Sequence, residues 1–188
     1  NNAVLAMYQD EDANMWIGTY DGLHLYNGKN TFVFRMELDN EFSLCSNIVL
    51  EIAPAEKGYL WVATSLGINK FSLRERRVVE SYMQYVDVEN IASDSEGNTV
   101  LFSGEDFITC YRPGRAFFED VYIPGVRAAE IVAVWSEAPR VFCTLGRDGE
   151  LVRYRLNDGE GKSLVRVSGR QLSALSLIHI SEPTRHLR

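Results

Sequence analysis

Several polar side chains in this 188-residue chain stand at spacings that chemistry uses. Asp10, Asp12 and Asn14 alternate with single residues, as in half of a calcium-binding loop. Met15-Trp16 follows where such a loop requires glycine, so a solvated turn is the expectation there. Asp94 with Glu96, and Glu105 with Asp106, place carboxyls in pairs of the kind general acid–base catalysis employs. Both pairs fall in turn-rich stretches where acidic residues are ordinary. His24 alternates with Leu23 and Leu25, which puts it on the other face of a short strand, exposed or hydrogen-bonded rather than ligating. Cys45, Cys110 and Cys143 are an odd set without C-x-x-C spacing, so no metal site is expected. Cys110 and Cys143 sit in strand-like runs that suit buried free thiols, and a disulfide between them stays open. No catalytic set, no metal and no cofactor is therefore expected.

The elements that would position such groups are announced by a repetition. Met15-Trp16-Ile17-Gly18-Thr19-Tyr20-Asp21-Gly22-Leu23 returns as Leu60-Trp61-Val62-Ala63-Thr64-Ser65-Leu66-Gly67-Ile68, with 45 residues between tryptophans (16 to 61) and between glycines (22 to 67). A fixed period in that range marks a repeat architecture. Each unit reads as a β-hairpin. Along a strand Trp16 shares a face with Gly18, and Trp61 with Ala63, a pattern suited to close approach of another sheet. Met15 with Ile17, and Leu60 with Val62, make the second face apolar too, so both faces are expected to be buried between neighbours. Asp21-Gly22 alone fits a two-residue type I′ turn, but Leu66 holds the aspartate position in the second copy and tolerates positive φ poorly. A type I turn closed by a left-handed glycine at Gly22 and Gly67 satisfies both. Tyr20, Asp21 and Ser65 then occupy equivalent tips on one face of a ring. A tyrosine beside a carboxylate suits a sugar, with its hydroxyls and apolar face, so these three are the candidate ligand contacts.

Four such units follow one another. Residues 1–42 hold strands at 4–9, 15–19, 23–26 and 31–36, and residues 43–86 hold them at 48–53, 59–64, 68–71 and 78–83. Residues 87–125 give 88–93, 99–103, 107–111 and 116–122, and residues 126–174 give 129–135, 141–144, 151–155 and 163–167. Val100 and Val141 take the tryptophan position in the last two, so the motif weakens along the chain. Four antiparallel strands in about 40 residues is one blade of a β-propeller, and four blades read as part of a larger, about seven-bladed ring. The composition, 46% hydrophobic and 24% charged, is that of a globular domain, and the longest apolar runs, such as 131–135, are far too short to span a bilayer. A net charge of −7 disfavours nucleic acid or an anionic membrane as partner. Residues 175–188 fit no blade pattern; Leu175 to Arg185 resembles the in-frame translation of a transposon-based adapter, and the stretch is expected not to be native.

At Trp16-Ile17-Gly18-Thr19 with Gly22, and Trp61-Val62-Ala63-Thr64 with Gly67, the chain resembles the two-component regulator propeller repeat. Blade openings at Asn2 to Val4 and Ser43 to Val49 are similar to that family as well. The resemblance implies the sensor region of a hybrid two-component system from gut-dwelling Gram-negative polysaccharide degraders. It implies a periplasmic propeller, a small β-sandwich, one membrane anchor, and a cytoplasmic histidine kinase with receiver and DNA-binding domains, those later parts lying outside these residues. It further implies an oligosaccharide ligand, control of glycan-utilisation genes and a full-length homodimer. The third and fourth units lack the tryptophan and the G-T-x-x-G spacing, so residue-by-residue transfer ends with the second. Two other readings compete: a propeller lyase or hydrolase, which would want histidines or carboxylates clustered at the central channel, and a protein-interaction scaffold.

Overall fold

A computed structural model describes residues 3–82, 88–103, 108–115, 118–121, 123, 125–158 and 164–172. They form sixteen strands in four antiparallel sheets, each built from four consecutive strands in chain order. Blade one holds β1 (Val4–Gln9), β2 (Met15–Thr19), β3 (Gly22–Tyr26) and β4 (Thr31–Phe34), and blade two β5 (Val49–Pro54), β6 (Tyr59–Thr64), β7 (Gly67–Ser72) and β8 (Arg77–Tyr82). Blade three holds β9 (Val88–Ser93), β10 (Thr99–Ser103), β11 (Ile108–Tyr111) and β12 (Glu119–Val121). Blade four holds β13 (Ile131–Ala138), β14 (Val141–Gly146), β15 (Glu150–Leu156) and β16 (Leu164–Gln171). The first strands β1, β5, β9 and β13 lie side by side in that order, and the sheets stack outward from them as an open β-propeller.

Alternation along each strand decides which face meets which neighbour. Trp16, Leu23 and Leu25 of blade one pack with Leu60, Val62 and Phe71 of blade two in one core. The opposite face of blade two, Trp61 and Ala63, packs on Leu101, Tyr111 and Phe118 of blade three. Val100, Phe102 and Cys110 then meet Phe142, Val152 and Tyr154 of blade four. Each of the two repeat tryptophans reaches into the next blade: Trp16 lies edge-on to Phe71 with centroids 5.4 Å apart, and Trp61 edge-on to Tyr111 at 5.0 Å. Gly18 is small because blade two is close; a Cβ there would stand 2.7 Å from Cγ1 of Val49. All four first strands carry a bulge one residue in, at Leu5, Leu50, Glu89 and Val132, which no shared residue type marks.

Burial of both faces holds for blade two but not for blade one. Leu60 and Val62 are buried, whereas Met15 and Ile17 are half-buried and Met7 beside them is 53% exposed. No blade among the described residues packs on that side. Some strand ends also shift. β4 stops at Phe34 because the amide of Met36 donates to Asn47 Oδ1 and that of Glu37 to Ser43 Oγ, so 35–46 runs as a stitched linker. Strand β13 starts at Ile131 after a 3-10 turn at Ala128–Glu130. β12 spans Glu119–Val121, and residues 116, 117 and 122 of the expected strand lie outside the described residues. The cysteines are all free. Cys110 faces blade four, while Cys143 pairs with Trp135 on the opposite face from Phe142, so strand parity keeps the two thiols apart.

Candidate functional site

The repeated hairpin turns have the same internal wiring. In blade one Thr19 Oγ1 donates to the Gly22 carbonyl at 3.1 Å and accepts from the Asp21 amide at 2.9 Å. In blade two Thr64 Oγ1 donates to the Gly67 carbonyl at 2.8 Å and accepts from the Leu66 amide at 3.4 Å. Tyr20, Asp21, Ser65 and Leu66 all keep negative φ, while Gly22 stands at +117°, so the type I′ alternative is ruled out. Both tips flank the strand entry of blade two: the Gly22 amide donates to the Asn47 carbonyl and the Ser65 amide to that of Ile48. Tyr20 is 45% exposed. Asp21 forks onto Arg35, with the closest contact 2.6 Å, and that hydrogen bond holds its carboxyl below the usual range. Ser65 shares a 2.8 Å hydrogen bond with Ser46. The tips thus share a face, with Ser65 and Asp21 already engaged within the protein.

Asp10 and Asp94, from the groups that looked metal-binding or catalytic, serve the fold. Asp10 Oδ1 accepts from the amides of Asp12 and Asn14, and Oδ2 from Asn14 Nδ2 and, at 2.8 Å, from the indole of Trp16. Partial burial opposes its charge, but these donors prevail and keep the carboxyl below its ordinary value. Asp94 is the equivalent acceptor in blade three, taking hydrogen bonds from the Glu96 and Asn98 amides, from Asn98 Nδ2 and, across the interface, from the Arg140 amide at 2.7 Å. Glu96 meets Arg140 at 3.6 Å. Glu105 and Asp106 lie outside the described residues. His24 is half-buried on the uncovered face of blade one, 3.2 Å from Thr19 Oγ1. Among the described residues no cluster of His, Cys, Asp and Glu can hold a metal ion.

Two sites escape sequence reasoning. Lys70, in the middle of β7, is 4% exposed. Its ammonium pairs with Glu56, donates to Tyr111 Oη at 3.3 Å and lies over the rings of Tyr59, Trp61 and Tyr111. Burial works against its charge, yet Glu56 and Tyr111 outweigh that and raise its pKa. The second is a cavity of about 520 Å³ between β4, the linker and the turn before β8, floored by Phe34, Phe71 and Val78 and rimmed by Arg35, Arg76 and Arg77. Another, of about 430 Å³, opens between the β1–β2 and β5–β6 turns, beside Tyr8 and Glu56. Neither is lined by Tyr20, Asp21 or Ser65.

Sixteen strands in four radially stacked sheets define a β-propeller sector. Residues 1–21, which span β1, its turn and β2, match the family model described as two component regulator propeller. No curated protein matches the whole chain closely enough to count as a relative. Solved structures share the fold. The extracellular domain of the putative hybrid two component system BT3049 from B. thetaiotaomicron is 20% identical, with a TM-score of 0.63 over 89% of this chain and 25% of its own. That of BT4673 from the same organism is 18% identical, with a TM-score of 0.61 over 89% of this chain and 22% of its own. PorZ, a surface component of the type-IX secretion system of Porphyromonas gingivalis, is 11% identical, with a TM-score of 0.63 over 91% and 23%. The chain spans about a quarter of each. No helix among the described residues is long and apolar enough to cross a membrane.

Proposed function

We propose that these four blades belong to the extracytoplasmic ligand-sensing propeller of a hybrid two-component sensor histidine kinase and response regulator. The reading is carried by one conjunction: a two component regulator propeller repeat at residues 1–21, on a sector whose shape recurs in extracellular domains of hybrid two-component systems. The ligand is an oligosaccharide released from a polysaccharide, and the output is transcription of glycan-utilisation genes. The full-length protein is a membrane-anchored homodimer with this region in the periplasm. Rigid blades holding short loops suit presentation of a ligand site better than chemistry. Tyr20, Asp21 and Ser65, on neighbouring tips, are proposed ligand contacts. The carboxyls Asp10 and Asp94 are consumed by the fold, which counts against a lyase or hydrolase among the described residues.

The equal TM-score to PorZ favours a second reading, a cell-surface propeller scaffold with no kinase. Full-length protein in membrane vesicles separates the two. Adding an oligosaccharide panel on the side of the propeller should raise histidine phosphorylation on the opposite side for at least one sugar. A full-length product without a kinase, or one whose phosphorylation ignores every sugar, refutes the sensor.

A further inference from the structure

The cavity between β4 and the turn before β8 has a composition at odds with the rest of the chain. The protein carries a net charge of −7, yet three arginines rim this one space and Glu37 alone opposes them in its lining. They are not equivalent. Arg35 uses Nε and one terminal nitrogen on Asp21, and Arg77 is committed to Glu75 with a closest contact of 2.5 Å. Arg76 has no carboxylate partner among the described residues; its guanidinium carbon lies over the Phe32 ring, 4.8 Å from the centroid. Arg77 is stacked likewise on Phe42, at 4.1 Å. Stacking occupies the faces of a guanidinium and leaves its edge N–H groups to donate.

Backbone geometry marks the same residue, as it does Ala13, Asp39 and Arg140 outside this cavity's lining. Arg76 sits at φ +53°, the left-handed region that a residue with a Cβ enters only at a cost. Glycine would be at ease there, so the turn itself does not require arginine. Strain retained at one position is a reason to look for a role of its side chain. The other polar groups of the lining are spent internally: Ser43 Oγ has its one proton within reach of the Asn40 carbonyl at 2.8 Å and the Glu37 carbonyl at 3.1 Å, and Asn40 Nδ2 donates to the Glu37 carboxylate. What the cavity offers a guest is therefore an apolar floor and unsatisfied guanidinium edges.

We propose that this cavity is a subsite for an anionic group, a carboxylate or a sulfate, carried by the oligosaccharide that the propeller senses, with Arg76 as its principal donor. A guanidinium forks onto two oxygens of either group, and the exposed rings of Phe32 and Phe42 beside the arginines can meet the apolar face of the sugar. The proposal rests on the sensor reading, and its test separates the two. Full-length protein is titrated calorimetrically with oligogalacturonates and with sulfated disaccharides, and with their carboxyl-reduced and desulfated counterparts. Wild type should bind an acidic probe, bind its neutral counterpart far more weakly, and lose affinity as salt rises. Arg76→Gly should lower that affinity by about tenfold or more, the scale of a charge-assisted hydrogen bond, while the unfolding midpoint stays level or rises. The two anions are told apart by which probe series binds. Unchanged affinity in Arg76→Gly, or binding of neutral sugars alone, overturns this subsite and leaves the sensor intact. Binding of an acidic protein segment in place of every sugar probe, or of nothing, overturns both.

Discussion

Three glycines in blade one permit a graded test of how blades and turns are held. Gly28 has φ +84° and open space around it, so Gly28→Ala carries only the backbone cost of the left-handed region, about 1 kcal/mol. Gly22 has φ +117°, and a Cβ there would lie 2.3 Å from the carbonyl oxygen of Phe34. That oxygen belongs to the neighbouring strand and moves only if the β3–β4 ladder gives way. Gly22→Ala therefore combines the backbone cost with overpacking, about 3 kcal/mol together. Gly18 has no backbone strain, but its Cβ would meet Val49 Cγ1 at 2.7 Å and the Val49 carbonyl at 3.1 Å. Gly18→Ala must push blade two away and costs about 1–3 kcal/mol by overpacking alone. Urea unfolding of the sensor region at equilibrium, followed by the fluorescence of Trp16, Trp61 and Trp135, should rank the losses Gly22 first and Gly28 last. Equal midpoints for the Gly22 and Gly28 variants would refute the tight turn, and an unshifted Gly18→Ala would refute the blade contact.

Asp10→Ala should cost about 1–3 kcal/mol, because it leaves the Trp16 indole and two amides without their acceptor. Since folding lowers the Asp10 pKa, its contribution is complete above the unfolded value near 3.8 and is lost as pH falls through the folded value. Acid titration of Asp10→Asn should accordingly show a shallower loss of stability below about pH 4 than wild type, and an identical curve would contradict the assignment. Lys70→Ala strands Glu56 and removes the cation from three rings, a loss of about 3 kcal/mol that Lys70→Met with Glu56→Gln should partly recover in thermal melts. The full-length protein should not turn over any oligosaccharide; turnover abolished by one carboxylate change within residues 1–174 would reverse that expectation.

The hairpins were legible because everything that defines them is local. Trp16 beside Gly18, Thr19 and Gly22 encode strand, face and turn within seven residues, and Trp61 to Gly67 repeat it. The aspartate hub was not. Asp10 to Asn14 recurs as Asp94 to Asn98, two blades on, while blade two has Ala55 bonded to Tyr59 in that place, so comparison of adjacent blades hides it. Spacing alone made those residues resemble a metal loop, when the acceptor serves an indole six residues away. Lys70 gave no signal of its own; it shares a strand face with Ile68 and is buried because blade three covers that face. The apolarity of Met15 and Ile17 was plain, but whether a neighbour covers them is a property of the assembly. Arg76 gave no signal beyond a basic run, since its significance lies in its φ and in the ring beneath it.

Blades two and three pack against neighbours on both faces, and among the described residues blades one and four each present an uncovered one. Val4 and Met7 on one end are 51% and 53% exposed, and Val165 and Val167 on the other are 38% and 51% exposed. Apolar patches of that kind drive association in water. Size-exclusion chromatography with light scattering on residues 1–174 measures this directly. Mass rising with concentration, reduced by Met7→Lys, is the predicted result. A sharp monomer peak at every concentration, with cooperative thermal unfolding, would contradict it and show that four blades suffice.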